Sequence, residues 1–178
     1  MRFFTVLFLA LSGFGLSLAV SGAMSPVMSA EAAPEQPRGK VTNLPIPRFV
    51  SLKTSEGNVR RGPSLRHRID WVFERPGMPL EIVGEFGHWR QVRDRDGVGG
   101  WMHYSLLSGA RHAIIETDLT PLFSRADETS QVNAYLEAGV IARIEKCGPV
   151  WCRLTADGIR GWTVKPNLWG VRPDEVVD

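Results

Sequence analysis

The sequence predicts an all-β chain built as two tandem small β-barrels, and three observations carry that expectation. The stretch Gly87–Gly109, GHWRQVRDRDGVGGWMHYSLLSG, returns as Gly148–Gly170, GPVWCRLTADGIRGWTVKPNLWG. Trp89-x-x-Val92 answers to Trp151-x-x-Leu154, Asp96-Gly97 to Asp157-Gly158 and Gly100-Trp101 to Gly161-Trp162, with one residue fewer in the second turn. Both stretches read as strand, Asp-Gly turn, strand, because β-branched and aromatic residues flank a dipeptide whose glycine accepts positive φ. Elsewhere the chain is made of short β-rich runs punctuated by Gly and Pro, with almost no helical period. A period of about 60 within 178 residues fits two small units better than one.

Residues 1–32 have the order of a secretory signal: Met1-Arg2, then nearly unbroken apolar residues from Phe3 to Val20. Ser21-Gly22-Ala23 and Ala30-Glu31-Ala32 both offer small-residue cleavage sites, and the second fits the A-x-A pattern better. An uncleaved anchor is the alternative, since an apolar run of about 18 residues approaches the length a bilayer core requires. Either outcome exports the remainder, to the periplasm or beyond, into an oxidising compartment. Residues 33–47 turn to Pro, Gly and scattered charge, a composition that predicts a flexible leader.

The first unit, 48–109, opens with Phe49-Val50-Ser51-Leu52 as a strand. Gly62-Pro63 ends the next run, Trp71-Val72-Phe73 and Leu80-Glu81-Ile82-Val83 form two more, and the Trp89–Tyr104 hairpin closes the unit. The second unit, 110–171, repeats the order with Ala113-Ile114-Ile115, Leu119–Phe123, Val140–Ile144 and a turn at Cys147. Gly139 answers Gly77. Glu128–Ala138 carries Val132, Tyr135 and Leu136 at helical spacing. The repeat nevertheless predicts strand and loop there, because the first unit has Trp71-Val72-Phe73 in that place. Residues 172–178 are left as a C-terminal tail.

In order and spacing, Asn58-Val59-Arg60, Gly62-Pro63-Ser64, Gly77, Trp89-x-x-Val92, Asp96-Gly97 and Gly100-Trp101 together resemble the bacterial SH3-like (SH3b) pattern. The resemblance covers Phe49–Gly109 well and Ala113–Val171 more loosely, with Asp118-Leu119-Thr120-Pro121 standing in for the Asn-Val-Arg segment. It implies a five- or six-stranded SH3-like barrel per unit and a non-catalytic envelope binding role, to peptidoglycan or a peptide.

A formal charge of +2 is too small to argue for nucleic acid or an anionic membrane as partner, so membrane contact is expected only through an uncleaved signal. Its distribution is uneven: Phe49–Gly109 carries nine Lys/Arg against seven Asp/Glu, and Ala110–Val171 seven of each. His67, His88, His103 and His112 are dispersed, with no cysteine or carboxylate at metal-ligand spacing. No metal or cofactor is therefore expected. Neither a Gly-x-Ser-x-Gly elbow nor a phosphate loop is present, and the chain is read as a non-enzyme. The competing reading is an envelope hydrolase or a hydrolase accessory protein.

Cys147 and Cys152 enclose four residues, and if those form a hairpin loop the two cysteines oppose each other at a distance a disulfide spans. Strand parity assigns the indoles. Residues three apart on a strand face opposite sides, so burying Val92 and Leu154 turns Trp89 and Trp151 outward, and burying Met102 does the same for Trp101. Paired indoles are how SH3-type grooves hold extended peptides, and packing against the other unit is the alternative for each. Trp169 is assigned to an inter-unit or terminal contact. Arg60, Arg61, Arg66 and Arg68 follow the first strand, and their guanidiniums suit a carboxylate. The ligand-binding set expected from sequence is Trp89, Trp101, Arg60 and Arg61, all in the first unit.

Overall fold

A computed structural model describes residues 36–178, so the expected signal segment 1–32 and its cleavage sites lie outside the described residues. In the first unit the strands are β1 (Arg48–Leu52), β2 (Gly57–Arg60), β3 (Ile69–Phe73), β4 (Pro79–Phe86), β5 (Trp89–Arg93), β6 (Gly99–His103) and the two-residue β7 (Leu107–Ser108). The second has β8 (His112–Ile115), β9 (Thr120–Phe123), β10 (Val132–Leu136), β11 (Ile141–Cys147), β12 (Trp151–Ala156), β13 (Ile159–Val164) and β14 (Leu168–Trp169). A single 3-10 turn precedes the last strand of each unit, Tyr104–Leu106 and Lys165–Asn167. Counting β7 and β14, each unit has one strand more than the five or six expected.

The two sheets run β3-β2-β6-β5-β4-β1-β7 and β10-β9-β13-β12-β11-β8-β14, the same order shifted by seven strands. The likeness extends to irregularities. Register slips by one residue between Ile82 and Gly84 in β4, and between Ile144 and Lys146 in β11. The loops after β2 and β9 also share their bonds: Arg61 N–H donates to the Arg68 carbonyl (3.1 Å) as Ser124 donates to Gln131 (2.8 Å). Glu128–Ala138 contains β10, not a helix, because the strand pairs with β9 and buries Leu136.

Glycines close each barrel where parity alone would not. A Cβ on Gly100 would lie 2.6 Å from the Arg60 carbonyl, and one on Gly161 2.6 Å from the Leu122 Cβ, so only glycine lets β6 and β13 reach β2 and β9. At the second hairpin Asp157 (φ 47°) and Gly158 (φ 79°) make the two-residue turn, with positive φ at both positions, that Asp-Gly favours. One separate core fills each unit: Leu52, Val59, Leu80, Ile82, Val92 and Met102 in the first, and Ile115, Leu122, Ile144, Leu154 and Leu168 among others in the second. Each such side chain contributes about 1.5–3 kcal/mol on burial.

Aligning the two sheets strand by strand pairs Glu85 with Cys147 and Arg90 with Cys152. The disulfide Cys147–Cys152 forms across β11 and β12, as the sequence expects. At the same cross-strand position the first unit places a buried carboxylate and a buried guanidinium, with Arg90 Nε 3.6 Å from Glu85 Oε1.

The flanking segments depart from expectation. Instead of an unpacked leader, Arg38 and Pro45 bridge, the Gly39 N–H donates to the Leu44 carbonyl (2.8 Å), and the resulting turn docks on Glu85. Val41 N–H (3.0 Å), Thr42 N–H (2.9 Å) and the Thr42 hydroxyl (2.7 Å) all donate to its carboxylate. The entropy argument from composition counts apolar burial and misses an anion that satisfies three donors at once. The tail 172–178 is likewise docked. Val177 exchanges both backbone bonds with Cys147 (2.7 and 3.0 Å), and the buried Lys165 ammonium donates to the Pro173 (2.8 Å) and Glu175 (2.7 Å) carbonyls.

Between the units, Phe49 of β1 meets Trp169 of β14 edge-on with centroids 5.2 Å apart, the inter-unit contact expected of Trp169. The Arg75 guanidinium donates to the Gly139 carbonyl (2.8 Å).

Candidate functional site

Parity holds on the central hairpins. Val92, Met102 and Leu154 are fully buried, which leaves Trp89, Trp101 and Trp151 half-buried on the outer faces. What the outer face of the first unit builds is set by register. Trp89 lies directly across from His103, and Trp101 across from Gln91 on one side and Arg60 on the other.

The result is a hollow of about 660 Å³ lined by Ser64, Leu65 and Arg66 from the loop after β2, and by His88, Trp89 and His103 from the β4–β5 turn and the β5–β6 hairpin. Its aromatic wall is continuous. Trp89 and His103 meet edge to face (5.6 Å), His103 and Tyr104 lie 4.9 Å apart, and His88 sits 5.9 Å from His103 and 5.7 Å from Tyr104. Two donors of Ser105, the hydroxyl at 2.7 Å and the backbone N–H at 3.4 Å, converge on His103 Nδ1. An Nδ1 that accepts leaves the ring hydrogen on Nε2.

Of the four residues expected to bind, only Trp89 lines the hollow. Trp101 shares its face but stands two cross-strand pairs further along, beside Gln91. The Arg60 guanidinium is committed to the loop itself, donating to the Leu65 (3.2 Å) and His67 (2.7 Å) carbonyls. That fixes the wall of the hollow from behind. Arg61 and Arg68 share Asp70, at 3.2 and 2.6 Å, and their guanidiniums, Arg68 foremost, hold its carboxyl below the usual range. The arginine that reaches the hollow is Arg66, which together with His88, His103 and Leu65 was not in the expected set. The turn length held the missing signal. A two-residue Asp96-Gly97 turn would place Trp89 across from Tyr104, whereas the extra residue relative to the second copy opens a loop from Asp94 to Val98 and places it across from His103.

The second unit carries its own hollow of about 430 Å³, and here both indoles, Trp151 and Trp162, line it. Lys146 sits with its ammonium 5.2 Å from the Trp162 ring, and Phe123 packs edge-on against Trp151 at 5.8 Å. One wall is the tail, Val176–Asp178. The paired-indole arrangement that sequence assigns to the first unit is thus realised as a hollow in the second. Among the described residues no three His, Cys, Asp or Glu side chains gather as metal ligands, and no helix is long and apolar enough to cross a membrane.

A family model described as the bacterial SH3 domain matches residues 53–109 and again 116–170. Both matches begin after the first strand of their unit, so the family pattern covers β2 to β7 and β9 to β14. No curated protein matches the chain. Among solved structures, NlpC2 from Trichomonas vaginalis is similar at 15% identity and a TM-score of 0.32, over 69% of this chain and 48% of that one. NlpC1 from the same organism is similar at 17% identity and a TM-score of 0.32, over 83% and 50%. This chain spans about half the length of either, and at those scores the likeness carries no argument about its activity.

Proposed function

Since the chain belongs to the bacterial SH3 domain family, in two tandem copies, we propose that it is an exported, non-catalytic binding module of the cell envelope, with peptidoglycan or an envelope polypeptide as its ligand. The observation that carries this reading is the hollow of the first copy. An indole face, two imidazoles and an exposed loop leucine form an open aromatic wall backed by a loop that Arg60 holds in place. Such a wall suits an extended, partly apolar chain lying across the hairpin. Export is supported by the signal-like order of residues 1–32 and by the disulfide, a bond typical of oxidising compartments.

Co-sedimentation with purified sacculi, run beside a zymogram, tests the proposal. Retention on sacculi without lysis bands is expected. Lysis bands from purified protein would overturn the non-catalytic reading, and failure to sediment together with failure to capture any envelope polypeptide would overturn the binding one.

A further inference from the structure

The two copies share a backbone but not a charge pattern at the hollow, and that contrast narrows the ligand. In the loop after β2, the Ser64 Oγ accepts the Arg66 N–H (3.2 Å) and the Ser64 carbonyl accepts the His67 N–H (3.2 Å). In the loop after β9, Asp127 Oδ1 accepts the Thr129 N–H (2.9 Å) and the Asp127 carbonyl accepts the Ser130 N–H (3.1 Å). The loops therefore superimpose residue for residue. Ser64, Leu65 and Arg66 correspond to Asp127, Glu128 and Thr129, and by hairpin register His103 corresponds to Val164. Arg66, the cation of the first loop, is replaced by Thr129 and His103 by Val164, while Asp127 and Glu128 stand where the first copy has Ser64 and Leu65; the cation at the second hollow is Lys146, beside Trp162.

No residue lining the first hollow is acidic, and among the described residues no carboxylate pairs with Arg66, whose side chain is exposed. Arg61 and Arg68 nearby are both engaged by Asp70. Arg66 is thus the loop arginine whose planar donor fork is left for a ligand, and His103 adds its Nε2–H from the opposite wall.

We infer that the first copy recognises a free carboxylate on its ligand, taken by Arg66 and His103 while an adjoining apolar portion packs on Trp89, and that the second copy, with Thr129 and Val164 in their places, lacks this pair of donors. The inference rests on the envelope-ligand reading above and specifies its chemistry.

The test uses the full exported chain and two preparations of sacculi, one untreated and one with its free carboxyls converted to amides. Retention is expected to fall at least tenfold on the amidated material. Arg66→Gln should lose a similar factor on untreated sacculi and become indifferent to amidation, with Arg66→Lys keeping part of the binding. Arg68→Gln removes another exposed loop charge, one outside the hollow, and should leave retention within twofold of wild type. Melting temperatures unchanged from wild type would show that the variants fold. Retention insensitive to amidation, or an Arg68→Gln loss equal to that of Arg66→Gln, overturns the carboxylate inference and leaves envelope binding standing. No retention of the wild-type chain on untreated sacculi sinks both.

Discussion

The Ser51 hydroxyl lies 2.9 Å from His112 Nδ1, a hydrogen bond that joins the first strand of one barrel to the first strand of the other. The imidazole is desolvated there, and that loss of water, with Arg143 adding repulsion, holds its pKa below the ordinary 6.5 against the opposing pull of the Ala110 backbone. It also packs over Gly77, where an added Cβ would come within 3.2 Å of the ring. A histidine with a depressed folded pKa binds fewer protons folded than unfolded. Its contribution to stability is complete above about pH 6.5 and is lost as pH falls below that value. Melting temperature should decline between pH 7.5 and 5, and His112→Gln should flatten that decline. An unchanged slope in the variant would place the titrating group elsewhere.

Glu85 gives a second, separate pH response. Burial pushes its carboxyl up, but the bonds from Thr42, Arg48 and Val41 outweigh that and hold it at about 2, against an ordinary 4.5. Stability from this group is therefore present above about pH 4.5 and is lost as pH falls toward 2. Glu85→Gln leaves Arg48 and Arg90 without their counter-charge, at a cost of about 3 kcal/mol. Limited trypsin digestion should then cut at Lys40 within the released turn. Wild-type resistance at Lys40 in the variant would show that the leader is held by something other than this carboxylate.

Replacing Cys147 and Cys152 with serine should lower stability by about 2 kcal/mol, the value that chain entropy assigns to so short a closed loop. Because Val177 pairs with Cys147, the tail should also become a protease target in the same variant. Thiol titration of denatured wild-type protein is expected to find no free sulfhydryl. Two free thiols would remove the bond from the exported protein.

Trp89→Ala should weaken ligand retention by about 2 kcal/mol, in the range of an aromatic anchor, with little change in melting temperature. Trp151→Ala should behave in the opposite way, because that indole packs against Phe123 and borders the tail. The expected stability loss is on the order of 2 kcal/mol, short of the 3–5 typical for a fully buried indole. If Trp89→Ala instead unfolds the chain, the hollow is a structural seam and the proposed function loses its support.

Local periodicity made the strands legible, and the repeat resolved the one ambiguous segment, since β10 stands where β3 requires it. Parity from Val92 and Leu154 turned the indoles outward, and the facing cysteines followed from their spacing. The leader, the tail and the arginines were not legible for a shared reason. The leader and the tail are placed by charged side chains whose partners lie far away in sequence, such as Glu85 with Thr42 or Arg111 with Glu175, and the arginines by which nearby carbonyl or carboxylate each one meets. Composition carries no record of such pairings. Arg60 and Arg61 look equivalent in sequence, yet one holds loop carbonyls and the other an aspartate, which leaves Arg66, five residues after Arg61, at the hollow.

Two adjacent copies with the same strand order face a kinetic hazard, because a newly made hairpin arm can close on its counterpart in the other copy. The cross-strand position shared by Glu85–Arg90 and Cys147–Cys152 discriminates against that error. Were β4 to zip onto β12, a desolvated carboxylate would face a thiol, and β11 on β5 would leave a guanidinium facing the other thiol. Neither the ion pair nor the covalent bond could form, and an uncompensated buried charge costs about 3 kcal/mol or more. Dissimilar fasteners at one address thus favour pairing of each hairpin arm with its own partner over the equivalent arm of the other copy.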